Sequence, residues 1–263
     1  MWPLLDFHKK NVLTALMFLV FLGSLLYIDW GPELIHAGGG TSLWLMVKGM
    51  FTPDLSGEIM RLALVASWQT LVYAVAGMTL AIIFAFGFGT LASGVLAQGS
   101  LGRSGLKTFF RGVLGFMRAI HELVWAWLFV AAFGLTPFAA VFAISIPYGG
   151  ILGRIFADML SDVPPQPIRA LQAAGASRLQ MLIYGYLPLA AADMTSYTMY
   201  RFECAIRSSA IMSFVGLGGL GYQIDLSLHD LKYSEVWTFL YFLIGLVIVV
   251  DLWSQVIRKR LVA

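Results

Sequence analysis

Residues 64–93 run for thirty positions without a single Asp, Glu, Lys or Arg. At ~1.5 Å per residue a helix of that length outruns the ~30 Å hydrocarbon core of a bilayer. A water-covered domain has nowhere to put so long an apolar run. The rest of the chain agrees: 59% of its 263 residues are hydrophobic and 12% are charged, about half the ~25% charged share of soluble domains. The chain therefore reads as an all-α integral membrane protein, because helices satisfy their own backbone groups in lipid.

Six spans are expected. They cover residues 12–28, 64–93, 112–134 and 138–157, one that begins at Pro188, and 236–257. Residues 1–11 read as a cytoplasmic or interfacial start, with Trp2, Leu4, Leu5 and Phe7 in the interface and Lys9 and Lys10 at the cytoplasm. A signal peptide is the rival reading of this start. No small-x-small cleavage site follows the apolar run, only Tyr27, Ile28, Asp29 and Trp30, so a retained first helix is expected. Residues 29–61 read as an external segment with a short interfacial helix around 42–51. Residues 62–258 form the core, five spans and a cytoplasmic loop at 158–186, and 259–263 a cytoplasmic tail. Within the core, 98–111 reads as a loop and Thr136-Pro137 as an external turn. Pro147 predicts a kink. Gly77, Gly87 and Gly89 predict close helix approach. Arg118 and Glu122, four apart, are expected to share a helix face and neutralise each other.

The basic residues orient this scheme. Twelve fall inside: Lys9, Lys10, Arg103, Lys107, Arg111, Arg118, Arg154, Arg169, Arg178, Arg258, Lys259 and Arg260. Three fall outside, Lys48, Arg61 and Lys232, and Arg201 and Arg207 lie within the fifth span. The excess of Lys and Arg on one side predicts that both termini are cytoplasmic.

No catalytic constellation is legible. His8, His36, His121 and His229 are scattered without paired metal spacing. No G-x-x-x-x-G-K-[ST] phosphate loop is present. Gly216, Gly218 and Gly221 match G-x-G-x-x-G, yet the strand–turn–helix context that would give the match meaning is missing. With Gly219, they read instead as a flexible re-entrant turn at the outer end of a pathway. The net charge of +3 and the lack of interleaved basic and aromatic residues leave no nucleic-acid surface. Cys204, the single cysteine, cannot form an intrachain disulfide and reads as a packing residue. No cofactor or metal is expected.

The fifth span carries Arg201, Glu203 and Arg207. A lone charge at mid-bilayer costs at least ~2.5–3.5 kcal/mol, so these residues need a reason. Glu203 and Arg207 are spaced to pair along one helix, and Arg201 has no partner in its own turn. Two readings stay open. The three charges brace helices, or Arg201 and Arg207 line a path and present positive potential to an oxyanion. Ser208 and Ser209 either add hydroxyl donors to that path or tie down backbone at the helix end.

Between the fourth and fifth spans, the Ala-rich segment 170–177 reads as a short helix that breaks at Gly175, with Leu187-Pro188 opening the next apolar helix. Taken with its flanks, the stretch resembles the signature loop of bacterial ABC importer permeases: Glu-Ala-Ala, three residues, Gly, nine residues, Ile, one residue, Leu-Pro. Gly175, Ala170 and Leu187-Pro188 fall in register, while Arg169, Leu171 and Gly185 replace the Glu, the second Ala and the Ile. The longer run through ALQAAGASRLQ, SYTMYRFECAIRSSA and VGLGGLG is similar to the phosphonate/phosphite-type branch. So is RAIHELVWAWLFV at 118–130, with His121 where Pro is expected.

That resemblance implies type I ABC importer permease architecture and a non-catalytic subunit that carries a small phosphorus oxyanion. It implies a cytoplasmic ATPase dimer, a periplasmic binding protein and a second permease copy, identical or paralogous, as partners. The coupling helix on the ATPase would use Ala170, Ala173, Ala174, Gly175, Ala176, Ser177 and Arg178. The rival class is a membrane-embedded enzyme acting on a lipid or phosphate substrate, which needs convergent acids, bases or metal ligands; the scattered histidines and few acids speak against it. A secondary transporter is a third class, and no inverted repeat is evident.

Overall fold

The computed structural model describes residues 3–28, 30, 39–97 and 99–262. Trp2 and the segment 31–38 with His36 lie outside the described residues, as do the side chains of Leu4, Leu5, Phe7, His8, Lys9 and Arg103. The chain forms two units, Met1–Lys48 and Gly49–Ala263. In the first, helix α1 (Pro3–Tyr27) is apolar on every side from Val12 onward, as suits a helix surrounded by lipid. The expected short helix near 42–51 is α2 (Gly39–Phe51).

The second unit is built on α3 (Gly57–Ser93) and α6 (Pro137–Ser161), the most extensively packed pair. Small residues allow it. Ala81, Ala85 and Ala92 on α3 and Ala143 and Ala157 on α6 are fully buried in shared clusters. At Gly89 a Cβ would sit 2.8 Å from the Gly153 carbonyl oxygen, so the two backbones touch there. Gly77 packs as closely on Ile144, whereas Gly87 faces open space and does not serve the approach expected of it. α6 runs unbroken through Pro147.

The third span departs from expectation. Residues 98–111 are not a loop: α4 (Ser100–Ala119) begins there and turns Leu106, Phe110, Val113, Leu114 and Met117 inward at helical spacing. The chain then breaks at Ile120–His121, and α5 (Glu122–Phe133) leaves at 86° to α4. His121 makes the break by capping α5, its Nδ1 accepting from the Leu123 N–H at 3.3 Å. The break separates Arg118 from Glu122, so the expected ion pair does not form.

After α6 come α7 (Pro165–Ala173), α8 (Arg178–Met181), a π-turn at Leu182–Tyr186 and α9 (Leu187–Met212). The fifth helix thus starts at Arg178 rather than at Pro188. The π-turn has a local cause. Pro188 brings no N–H for the Tyr184 carbonyl, and the turn before it widens. A glycine turn then leads to α10 (Leu220–His229), bent 43° from the helix before it, and α11 (Tyr233–Val262) follows. Among the described residues four helices are individually long and apolar enough to cross a membrane, and six spans result if each bent pair counts as one.

Candidate functional site: a docking turn and a polar helix

The sequence Gly175-Ala176-Ser177 stops one helix and starts another in three residues. Gly175 sits at φ +83, in the left-handed region open to glycine. The Ala176 N–H donates to the Leu171 carbonyl and the Gly175 N–H to the Gln172 carbonyl, both at 3.0 Å, which closes α7 in a Schellman motif. Ser177 then caps α8. Its Oγ accepts from the Gln180 N–H at 3.3 Å, and Gln180 Oε1 accepts from the Ser177 N–H at 2.7 Å. The S-x-x-Q spacing of this capping box was readable in the sequence.

Ala170, Ala173, Ala174, Gly175, Ser177 and Arg178 are exposed and Ala176 is half-buried, so the expected coupling residues form one accessible turn. Its other side is anchored: Ile168 and Leu171 fill the space where a Gly185 Cβ would stand, at 2.7 and 2.9 Å. This explains the glycine at a position where the resembled pattern has Ile. Between α7 and the helix ends beside it lies a cavity of about 400 Å³.

On α9 the charges pair differently from expectation. Glu203 does not pair with Arg207. Its carboxylate faces Arg258 of α11 at 2.9 Å, with the two side chains 11% and 25% exposed. The contact is an ion pair rather than an aligned hydrogen bond, since the buried Oε1 accepts none. Arg258, expected in the cytoplasmic set, is thus turned into the bundle. Arg201 has a partner one turn away. Its Nε and Nη2 donate to the Tyr197 hydroxyl at 2.9 and 2.6 Å, and the guanidinium lies over the Tyr197 and Tyr200 rings at 5.1 and 5.4 Å. Arg207 is exposed, and its nearest polar contact is Cys204 Sγ at 3.7 Å.

Ser208 and Ser209 are both buried and do different work. Ser208 bridges helices: its Oγ donates to Glu122 Oε1 at 2.7 Å and lies 2.8 Å from the Tyr148 hydroxyl, with His121 3.7 Å from the same carboxylate. Ser209 donates to the Thr70 carbonyl at 2.9 Å. Glu122 was singled out from sequence only as a partner for Arg118, and Tyr148 was not singled out; the carboxylate instead meets Ser208.

The turn after α9 is pinned rather than flexible. Gly216, Gly218 and Gly219 have φ of +91, +79 and +93. The Gly219 N–H donates to Gln69 Oε1 at 3.1 Å and the Leu220 N–H to Thr70 Oγ1 at 3.0 Å. These bonds give α3 side chains to the free donors at the start of α10. Gly221 packs directly on the Ala210 carbonyl, where a side chain has no room. Among the described residues no group of three or more His, Cys, Asp or Glu is placed to hold a metal.

Comparison with known proteins gives this arrangement a context. The phosphite transport system permease protein PtxC of Stutzerimonas stutzeri is 29% identical over 250 residues, covering 92% of this chain and 87% of that one. The putative phosphite transport system permease protein HtxC of the same organism is 30% identical over 255 residues, covering 95% and 87%. Among solved structures, an inward-facing form of the MetNI methionine ABC transporter aligns with a TM-score of 0.68 at 19% identity, over 79% of this chain and 99% of that one. The fold is that of ABC importer permeases, and such a subunit is non-catalytic. Residues 89–263 match the family described as binding-protein-dependent transport system inner membrane component, and the chain belongs to that family.

Proposed function

We propose that this chain forms the translocation pathway of an importer for a small phosphorus oxyanion of the phosphite or phosphonate class. The observation that carries the reading is on α9. Asp193, Tyr200 and Arg207, seven residues apart, are exposed on one stripe of a helix whose other charges are paired. Exposed charge on a spanning helix is costly against lipid. It is at ease facing water or a second copy of the chain. Arg207 then supplies positive potential for an oxyanion, and the likeness to two phosphite permeases points to the same chemistry.

In this reading two permease copies, identical or paralogous, enclose the path. A periplasmic binding protein delivers the ligand and two cytoplasmic ATPases dock on the turn of α7 and α8. Closure of the ATPases moves that turn and opens the path outward. Arg201 is held along α9 by its phenol partner, the Glu203–Arg258 pair braces α9 against α11 beside Arg207, and Ser208 and Ser209 join α9 to α5, α6 and α3. The pinned turn at Gly216, Gly218, Gly219 and Gly221 closes the outer end. Residues 29–61 are the periplasmic segment, 62–258 the core and 259–263 the tail, with both termini cytoplasmic. Taking Arg258 into the bundle leaves eleven basic residues inside against three outside.

Uptake tests the pathway. Arg207→Gln should lower uptake of labelled phosphite by roughly tenfold, the order of one lost charge-assisted hydrogen bond, after normalising to assembled complex. Arg207→Lys should recover only part, because Lys lacks the planar fork. Full uptake by Arg207→Gln would remove Arg207 from the path.

Labelling tests the orientation. In a Cys204→Ser background, cysteines placed at Thr41 and at Ser177 should react oppositely with an impermeant thiol reagent in outer-membrane-permeabilised cells. Reaction at position 177 before the inner membrane is broken would reverse the topology.

A further inference from the structure

The cavity behind the docking turn has a composition that the transport pathway does not require. Arg169 and Gln172 of α7, Arg178 of α8, Tyr186 of the π-turn and Ser161 of α6, whose hydroxyl donates to the Ala157 carbonyl, supply its polar groups, over a floor that includes Val95 and Leu160. Among the described residues no carboxylate lines it. Two other arginines near this end of the bundle, Arg111 and Arg154, are both satisfied by Asp158, at 2.8 and 3.0 Å. Arg169 and Arg178 have no ion-pair partner among the described residues. Two uncompensated guanidiniums thus share one concave space with an amide and a phenol, all of them donors.

The facing of α7 identifies what fits there. Its cavity side is Ile168, Arg169 and Gln172, whereas Ala170 is exposed on the opposite side and Ala173 beside Arg169. A protein seated against Ala170 therefore leaves the cavity open behind the helix, where a small molecule reaches it. We propose that this cavity is a binding site for a phosphate group, presented by a soluble phosphate or by the headgroup of an anionic lipid. Guanidinium forks match tetrahedral oxyanions. The volume of about 400 Å³ exceeds that of a bare oxyanion and leaves room for an ester group over the apolar floor. Because Arg169 and Arg178 stand on opposite sides of Gly175, one anion bridging them ties α7 to α8 across the turn. The site shares no residue with the stripe around Arg207.

Equilibrium binding to the assembled transporter decides the matter. In nanodiscs of zwitterionic lipid, without nucleotide, radiolabelled inorganic phosphate and glycerol 3-phosphate are titrated against wild type, Arg169→Gln/Arg178→Gln and Arg207→Gln. The double variant should bind at least one of these probes about tenfold or more weakly, as loss of charge-assisted hydrogen bonds implies, and Arg207→Gln should keep this binding. Should the double variant fail to assemble, Arg169→Lys/Arg178→Lys keeps both charges, loses both forks and should still bind more weakly. Phosphatidylglycerol in the nanodisc then separates the sources. Displacement of the labelled probe assigns the site to a lipid headgroup, and undiminished binding assigns it to a soluble phosphate. Equal affinity in wild type and the arginine variants, or binding lost only in Arg207→Gln, overturns the proposal.

Discussion

Gly175→Trp should abolish the stimulation of ATP hydrolysis by ligand-loaded binding protein while leaving the helices inserted. Two effects combine at this position. At φ +83 a side chain costs ~1–2 kcal/mol of backbone strain. The space around Gly175 is empty, so no clash within the chain adds to it. The indole instead projects from the exposed turn into the space where the proposed ATPase surface sits. Gly175→Ala separates the terms, since it brings the strain without the bulk. The alanine variant should couple weakly but measurably. The tryptophan variant should lose stimulation by about tenfold or more, the factor equal to ~1.4 kcal/mol of docking free energy. The assay is ATP turnover of the purified complex in nanodiscs with and without binding protein. Normal stimulation of the Trp variant would show that the turn does not dock.

Glu203→Gln should be the most destabilising single charge change in the bundle. It leaves Arg258, three-quarters buried, without its counter-charge. Removing one partner of a buried pair costs about 3–5 kcal/mol. Arg258→Gln should cost a similar amount for the converse reason. The double variant Glu203→Gln/Arg258→Gln removes both charges and should recover most of the loss, because two neutral amides bury cheaply beside each other. Thermal unfolding of the assembled complex measures each step. Additive losses in the double variant would mean that the 2.9 Å approach carries no coupling. Uptake adds a second readout. Scaffold charges predict that transport returns with stability, whereas pathway charges predict a stable double variant that does not transport.

The apolar runs that mark an all-helical membrane fold and the break at Gly175 were legible because each rests on local chemistry. Uncharged runs mark lipid, and a Gly-Ala-Ser triplet stops one helix and caps the next. The misreadings come from contacts between distant segments. Arg103, Lys107 and Arg111 made 98–111 look like a loop, yet Leu106, Phe110 and Leu114 already stood at helical spacing and only lacked a partner. That partner is α6. Glu203 and Arg207 have ideal spacing along one helix, but a better-shielded cation on α11 reaches Glu203 first. No pattern along the chain announces a pair 55 residues apart. For the same reason Tyr148, Ser208 and Glu122, from three different helices, became a group only in three dimensions.

The two sides of the docking turn are built with unequal stiffness. On the α6 side, Asp158 receives Arg111 and Arg154 at once, and Arg111 also reaches the Ala92 carbonyl at 3.3 Å, so α3, α4 and α6 are clamped together. On the α9 side the chain passes through a π-turn next to a proline that contributes no hydrogen bond. In the proposed coupling, a push on the turn would meet the Asp158 clamp on one side and the π-turn, seated on Ile168 and Leu171, on the other. Displacement would then pass with α7 into the π-turn and on into the helix of Arg201, Glu203 and Arg207, and the turn would act as a crank with one fixed bearing, set by a single aspartate.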